Sequence, residues 1–225
     1  MNTDPTPPGS EPVGPRERLR AFWNTRYAAE GYSYGTEPNE FLVQCRRRLQ
    51  SLPRGARALC LADGEGRNGV WLATQGFAVS SVDIAEQGLS KARALAERAG
   101  VALQTLQGDV TAFELGRDRW DLIVSIFLHL PAKPRRALHQ RSFDALRPGG
   151  LFVFEAYSPE QLAYGTGGPK EIGLLPTLAD IEGDFADCDG AVIVHRFSGV
   201  RSVVEGPLHS GDGHVVQLVV RKGSS

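Results

Sequence analysis

Between residues 58 and 156 short apolar runs alternate with stretches of helical period, and no other feature of the sequence constrains the fold as much. Residues 58–62, 78–82, 102–106, 120–127 and 151–156 have the length and composition of buried strands. Helical patterns separate most of them: 66–75, closed by Gly76; 85–99, with Leu89, Ala92, Ala96 and Ala99 on its inner face; and 134–146, broken by Pro148-Gly149-Gly150. Parallel strands need crossovers of this length, so the pattern implies βαβ units in a doubly wound α/β sheet. The rhythm breaks near Pro176. A short helical stretch is followed by strand signals at 191–196, 200–204 and 215–221 with no crossover helix between them, so these pair antiparallel.

The amino-terminal part reads differently. Residues 1–15 are rich in Pro, Gly, Ser and acid, the composition of a disordered tail. A helix begins at Arg16, with Leu19, Phe22, Trp23 and Tyr27 at three- and four-residue steps, and stops near Gly31. A second helix takes Pro38 in its first turn and lines up Phe41, Leu42, Cys45 and Leu49, leaving Arg46, Arg47 and Arg48 to solvent. We therefore expect one domain over 16–225, with 16–51 as a helical flap on the sheet.

With 25 Lys and Arg against 26 Asp and Glu, net charge −1, the chain has no global attraction for nucleic acid or anionic membranes. No apolar run reaches the roughly 18 residues of a membrane span, and the first residues lack the apolar core of a signal peptide. Cys45, Cys60 and Cys188 are odd in number, far apart and without metal spacing. They predict free thiols in a reducing cytoplasm, with no metal site.

Chemistry first shows at Gly64-Glu65-Gly66-Arg67-Asn68-Gly69, a G-x-G-x-x-G turn that follows a strand and opens a helix. Gly64 and Gly66 let a ligand approach the backbone and leave helix N–H groups free. Asp83 ends the next strand, where a carboxylate can accept both ribose hydroxyls of an adenosine cofactor. Dinucleotides and S-adenosylmethionine (SAM) both fit this pair. Asp109, after the third strand, suits an adenine amino group, or else caps its own loop. Ser125 places a short polar side chain at the carboxyl end of the fourth strand, beside the switch-point crevice. These positions, with the antiparallel finish, favour SAM over a nicotinamide cofactor.

The chain resembles the class I SAM-dependent methyltransferases, and within them the tellurite-resistance and thiopurine-methyltransferase-like branch. The resemblance rests on Phe-Trp-Asn-Thr-Arg-Tyr (22–27), Tyr-Ser-Tyr-Gly-Thr-Glu-Pro-Asn (32–39) and Leu-Ala-Asp-Gly-Glu-Gly-Arg-Asn (61–68). Val-Asp-Ile (82–84), Gly-Asp-Val (108–110), Trp-Asp-Leu-Ile (120–123) and Arg-Pro-Gly-Gly (147–150) extend it. It implies a seven-stranded, mostly parallel Rossmann-like sheet in the order 3-2-1-4-5-7-6, with strand seven antiparallel. It further implies SAM contacts at Ala62 and Gly64 (methionine portion), Asp83 and Ile84 (ribose and adenine), Asp109 and Val110 (base), and Ser125 and Ile126 (sulfonium). Trp23, Arg26, Tyr27 and Tyr34 would form a flap over the cofactor. Aromatic faces attract a sulfonium by about 0.5–2 kcal/mol, which supports the flap independently.

Methyl transfer is an in-line displacement that needs alignment, exclusion of water and, for a protonated nucleophile, somewhere for the proton to go. Three residues are candidates for that polar role: His129, just past the fourth strand; Tyr157, ending the fifth; and His209, between the last two. An ordinary imidazole, with a pKa of about 6.5, could take a thiol proton near neutral pH. The loop after Tyr157, with Tyr164 and several glycines, has the composition of a lid. Leu208-His209 resembles a Leu-His pair of the tellurite-resistance enzymes, but Ser210 stands where they continue with Arg. The expected function is methyl transfer from SAM to a small-molecule nucleophile, a thiol or a selenium or tellurium compound, by a monomer or weak homo-oligomer. The alternatives are a SAM-binding module without catalysis and, less favoured, a nicotinamide-dependent oxidoreductase.

Overall fold

The computed structural model describes residues 14–223. Most of the expected tail lies outside them, and Pro15 already opens the first helix. The elements in chain order are α1 (Pro15–Tyr27), α2 (Glu40–Gln44), α3 (Arg46–Leu49), β1 (Arg57–Leu61), α4 (Arg67–Thr74), β2 (Ala78–Asp83), α5 (Glu86–Arg98) and β3 (Gln104–Gln107). There follow β4 (Trp120–Ile126), α6 (Ala132–Ala145), β5 (Leu146–Tyr157), α7 (Leu178–Asp184), β6 (Ala191–Val204) and β7 (Ser210–Lys222). All seven strands form one sheet in the order β3-β2-β1-β4-β5-β7-β6. Strands β1 to β5 pair parallel, while β7 runs antiparallel to both β5 and β6. Fold class and strand order are as the sequence implied.

Side chains alternate across a strand, so a central strand with helices on both faces is apolar at nearly every position. In β5, Phe152 and Phe154 face a core shared with Leu138 and Phe143 of α6 and Ile181 of α7. Leu151 and Val153 face the opposite core, with Phe41, Leu42, Leu49 and Leu72 of α2, α3 and α4. The stripe predicted for the second flap helix thereby fastens α2 and α3, whereas on α1 only Tyr27 of the predicted stripe is buried and Leu19 and Phe22 are exposed.

Several details differ from the sequence reading. The second flap helix is two short ones divided at Cys45, and its N-cap is Asn39, whose side chain accepts from Leu42 N, rather than a first turn at Pro38. Ala99 is exposed and Leu95 takes the inward position on α5, because the helix ends at Arg98. The signals at 191–196 and 200–204 are one strand: β7 pairs through the interval, with Gly199 opposite Val215. Gly66 caps α4 in a left-handed conformation (φ 87°) against Ala92 of α5, so the glycine turn also sets how closely these helices approach.

Candidate active site

At the carboxyl ends of β1 and β2 the chain builds a polar crescent. Ala62 (φ 51°) and Gly64 (φ 56°) form the turn after β1. Asp83 is buried, and its carboxylate accepts from Gly64 N at 2.9 Å and from Ala85 N at 2.8 Å. It thus ties the glycine turn to the start of α5. Burial, outweighing these backbone bonds, raises its pKa above the ordinary carboxylate value. Ile84, Gln107, Gly108 and Asp109 line a cavity of about 500 Å³ whose outer wall is Arg16, Glu17 and Arg20 of α1 and its N-cap Gly14. One oxygen of Asp109 caps its own loop through Thr111, and the other faces Arg16 at 3.3 Å. Val110 and Ile126 lie in the two cores, not on this wall. Arg16 was absent from the sequence-based site, since nothing in its spacing singles it out.

Over the crescent lies the flap. Trp23 stacks on Tyr27 (ring centres 5.5 Å apart), and Tyr27 meets Tyr34 edge-on at 6.3 Å. The Tyr27 hydroxyl sits against Gly64, so close that a Cβ there would lie 2.5 Å from it. Arg26 donates to Tyr34 Oη at 2.9 Å and has no carboxylate partner among the described residues. Glu65 accepts from Tyr34 N and from Lys91, fixing the flap to α5.

Beyond Tyr34 the structure brings all three candidate catalytic residues together. The ring of His209 contacts Tyr34 (4.8 Å), Phe127 (4.8 Å) and Tyr157 (5.4 Å). His129 stacks with Tyr157 at 6.0 Å and 7°. Phe127, which sequence reasoning missed, holds a left-handed backbone (φ 53°) as β4 ends, and its ring packs 4.7 Å from Tyr157. In this cluster His129 Nε2, Tyr157 Oη and His209 Nδ1 are buried without a hydrogen-bond partner, as is Ser125 Oγ near the end of β4. Orphaned buried polar atoms are costly, and three in one aromatic cluster make it a candidate ligand site. Burial lowers both histidines from 6.5 to about 4, with Arg67 adding to the effect at His209. It pushes the Tyr157 phenol up. Gly167 and Gly168 of the loop after β5 close over Tyr157 and His209, with no room for a Cβ, whereas Tyr164 is exposed.

A buried polar network floors the cluster. Arg201 of β6 donates to both oxygens of Glu155 (2.8 and 2.7 Å) and to Glu205 (2.7 Å). Arg67 donates to Glu205 as well. Asn39 bridges Glu155 (2.6 Å) and Glu205 (2.9 Å), and Gln217 completes Glu155. Glu155, a lone acid inside the apolar run Leu-Phe-Val-Phe-Glu-Ala-Tyr, was the available signal for it.

Two helix-flanked parallel units meet at β1 and β4, β7 is inserted antiparallel, and the glycine turn and Asp83 adjoin that switch point. The chain has the class I methyltransferase fold. Residues 58–150 match a family model described as "Methyltransferase domain", and SAM-dependent methyltransferases of Methanosarcina mazei and Clostridium acetobutylicum share the fold. The chain is 27% identical over 157 residues to the erythromycin 3''-O-methyltransferase of Saccharopolyspora erythraea, an alignment covering 68% of this chain and 51% of that protein. It spans about half the length of the curated relatives it matches. A solved structure titled for the conversion of a disulfide bond into a thioacetal group during echinomycin biosynthesis superposes with a TM-score of 0.73 at 19% identity, covering 92% of this chain and 91% of that one. TehB from Haemophilus influenzae superposes with a TM-score of 0.64 at 14% identity, covering 90% and 66%. No helix of the described residues is long and apolar enough to cross a membrane.

Proposed function

We infer that this protein transfers a methyl group from SAM to a small-molecule nucleophile within the tellurite-resistance-like branch. The observation that carries this reading is the adjacency of two half-sites: the Gly64–Asp83 crescent and the cluster of His129, Tyr157 and His209, joined by Tyr34. Bound SAM would supply an electrophilic methyl on a sulfonium. Asp83 would accept the ribose hydroxyls, Ile84 and Asp109 would receive the adenine in their cavity, and Arg26 would pair with the methionine carboxylate. Ala62, Gly64 and Gly66 keep the backbone clear for it. Trp23, Tyr27 and Tyr34 would exclude water, and Ser125 would face the sulfonium. The acceptor enters the aromatic cluster under Gly167 and Gly168, where His129, Tyr157 and His209 stand ready to orient it and hold its proton. Three free thiols, two of them buried, accord with a reducing cytoplasm.

Calorimetry tests the cofactor. The protein should bind S-adenosylhomocysteine (SAH) and ignore NADH; the reverse would overturn the reading. Asp83→Ala should weaken SAH by roughly ten- to a hundredfold, about 1.5–3 kcal/mol, through lost charge-assisted hydrogen bonds. Because Asp83 also holds Gly64 and Ala85, unfolding of the variant should be followed alongside.

The flap supplies a second test. With Tyr27 resting on Gly64, loading the cofactor requires that ring to move, after which the flap closes on the ligand. Hydrogen exchange across residues 16–40 should slow when SAH is added. Equal exchange with and without SAH would make α1 a plain core helix.

The pH profile is a third, and the structure revises the sequence expectation. A proton acceptor must be neutral to work, and His129 and His209 become cationic only near pH 4. Turnover should therefore stay level from about pH 7 down through 6.5 and fall only as the pH nears 4. A limb centred near 6.5 would show that neither histidine takes the proton from its buried state.

A further inference from the structure

The orphaned nitrogen of His129 carries more information than its neighbours, because its protonation is fixed by geometry. The other ring nitrogen, Nδ1, lies 3.2 Å from the carbonyl oxygen of Leu174. A carbonyl oxygen only accepts, so Nδ1 carries the hydrogen and donates it. Nε2 is left as a bare lone pair, buried and with nothing to accept from. Such an atom asks for a ligand that brings a hydrogen, and repels one that brings only lone pairs.

The surroundings point the same way. The neighbours of His129 in the cluster are the rings of Phe127 and Tyr157. The cations acting on His209 are Arg67 and Arg201, and both are engaged by Glu205, Arg201 also by Glu155. Two arginines against two glutamates leave no net positive charge to hold an anion, and Arg26, which reaches the cluster through Tyr34, is taken by the methionine carboxylate in the proposed reading.

We propose that the methyl acceptor is an uncharged molecule bearing its own proton, a thiol, selenol or hydroxyl compound, which binds through that X–H to His129 Nε2, and that oxyanions such as selenite and tellurite are not substrates. The proposal rests on the methyl-transfer reading and narrows its acceptor. In the step, a lone pair on X forms the new bond to the methyl carbon while the carbon–sulfur bond of the sulfonium breaks, its electron pair returning to sulfur. The proton on X passes to His129 Nε2, so the positive charge moves from sulfonium to imidazolium, steadied by the Nδ1–H bond to Leu174. A weakly basic imidazole suffices, since X becomes strongly acidic as it takes on onium character. Water removes the proton when the site opens.

Nitrogen NMR of protein labelled in histidine, with His129→Asn to assign the signals, reads the tautomer directly. At neutral pH His129 should show a pyrrole-type Nδ1 and a pyridine-type Nε2; a protonated Nε2 would overturn the proposal whatever the activity. SAH release should then be followed with benzyl mercaptan and 2-mercaptoethanol against thioglycolate, selenite and tellurite. The uncharged thiols should exceed the anions at least tenfold in kcat/KM. His129→Asn should cost them about a hundredfold while SAH affinity stays within a few-fold. Faster turnover of the anions would sink the proposal, as would an unchanged rate in the variant. Failure of SAH to bind at all would instead remove the methyl-transfer reading, and the NMR result would still stand.

Discussion

Replacing Arg201 by methionine should lower the free energy of unfolding by about 3–5 kcal/mol, the usual cost of removing one partner from a buried ionic cluster. Glu155 is fully buried and Glu205 nearly so, and Arg201 is the guanidinium bound to both. Burial raises the Glu205 carboxyl, but Arg67 and Arg201 outweigh it and hold the group below its ordinary value. Without Arg201, Asn39 would bridge two carboxylates of which only Glu205 keeps a cation, Arg67. Urea unfolding at neutral pH measures the loss, and a change below about 1 kcal/mol would mean that water already shields the cluster. The double variant Arg201→Met with Glu155→Gln should recover part of the deficit, because it removes the stranded charge as well as its partner.

Gly66→Ala should be nearly as damaging. A left-handed backbone costs an L-residue about 1–2 kcal/mol, and the φ of 87° leaves no ordinary alternative. The added Cβ would stand 2.5 Å from Ala92 Cβ and 2.8 Å from Ala92 Cα, so α5 itself would have to retreat. Overpacking of this kind costs about 1–3 kcal/mol, for a total of about 2–5. Since Gly66 also caps α4, the displaced helix should take SAH affinity down with it. Thermal unfolding and calorimetry on one preparation give both readouts. A variant as stable as the parent, with its affinity intact, would show that the turn relaxes freely.

Local signals carried the fold because local chemistry decides it. The strands from β1 to β5 announce themselves through apolar runs bounded by glycine and proline, and the crossover lengths leave little choice but parallel pairing. Gly64, Asp83 and Asp109 stood out as candidates for the same reason: Asp83 ends β2, and Gly64 and Asp109 follow β1 and β3 at the carboxyl edge of the sheet. What escaped was long-range. Arg16 meets Asp109 across most of the first hundred residues, and Asn39 meets Glu205 across 166 positions. No periodicity encodes such pairs. The fusion of two strand signals into β6 escaped too, since the interval Phe197-Ser198-Gly199, broken by serine and glycine, becomes strand where β7 offers a continuous ladder. His129 was placed correctly in the chain, yet its lone pair follows from a carbonyl 45 residues away.

The insertion of β7 between β5 and β6 has a consequence for biogenesis. During synthesis β5 is complete long before its antiparallel neighbour, which occupies Ser210–Lys222, has been made. Until then a long apolar edge stands bare, with Glu155 in its middle lacking Arg201 and Gln217. A bare edge of this kind invites pairing with other chains. That lone acid then suits the part of a gatekeeper: covering its unpaired charge with another nascent strand would strip it of water, a cost that its own arginine later offsets.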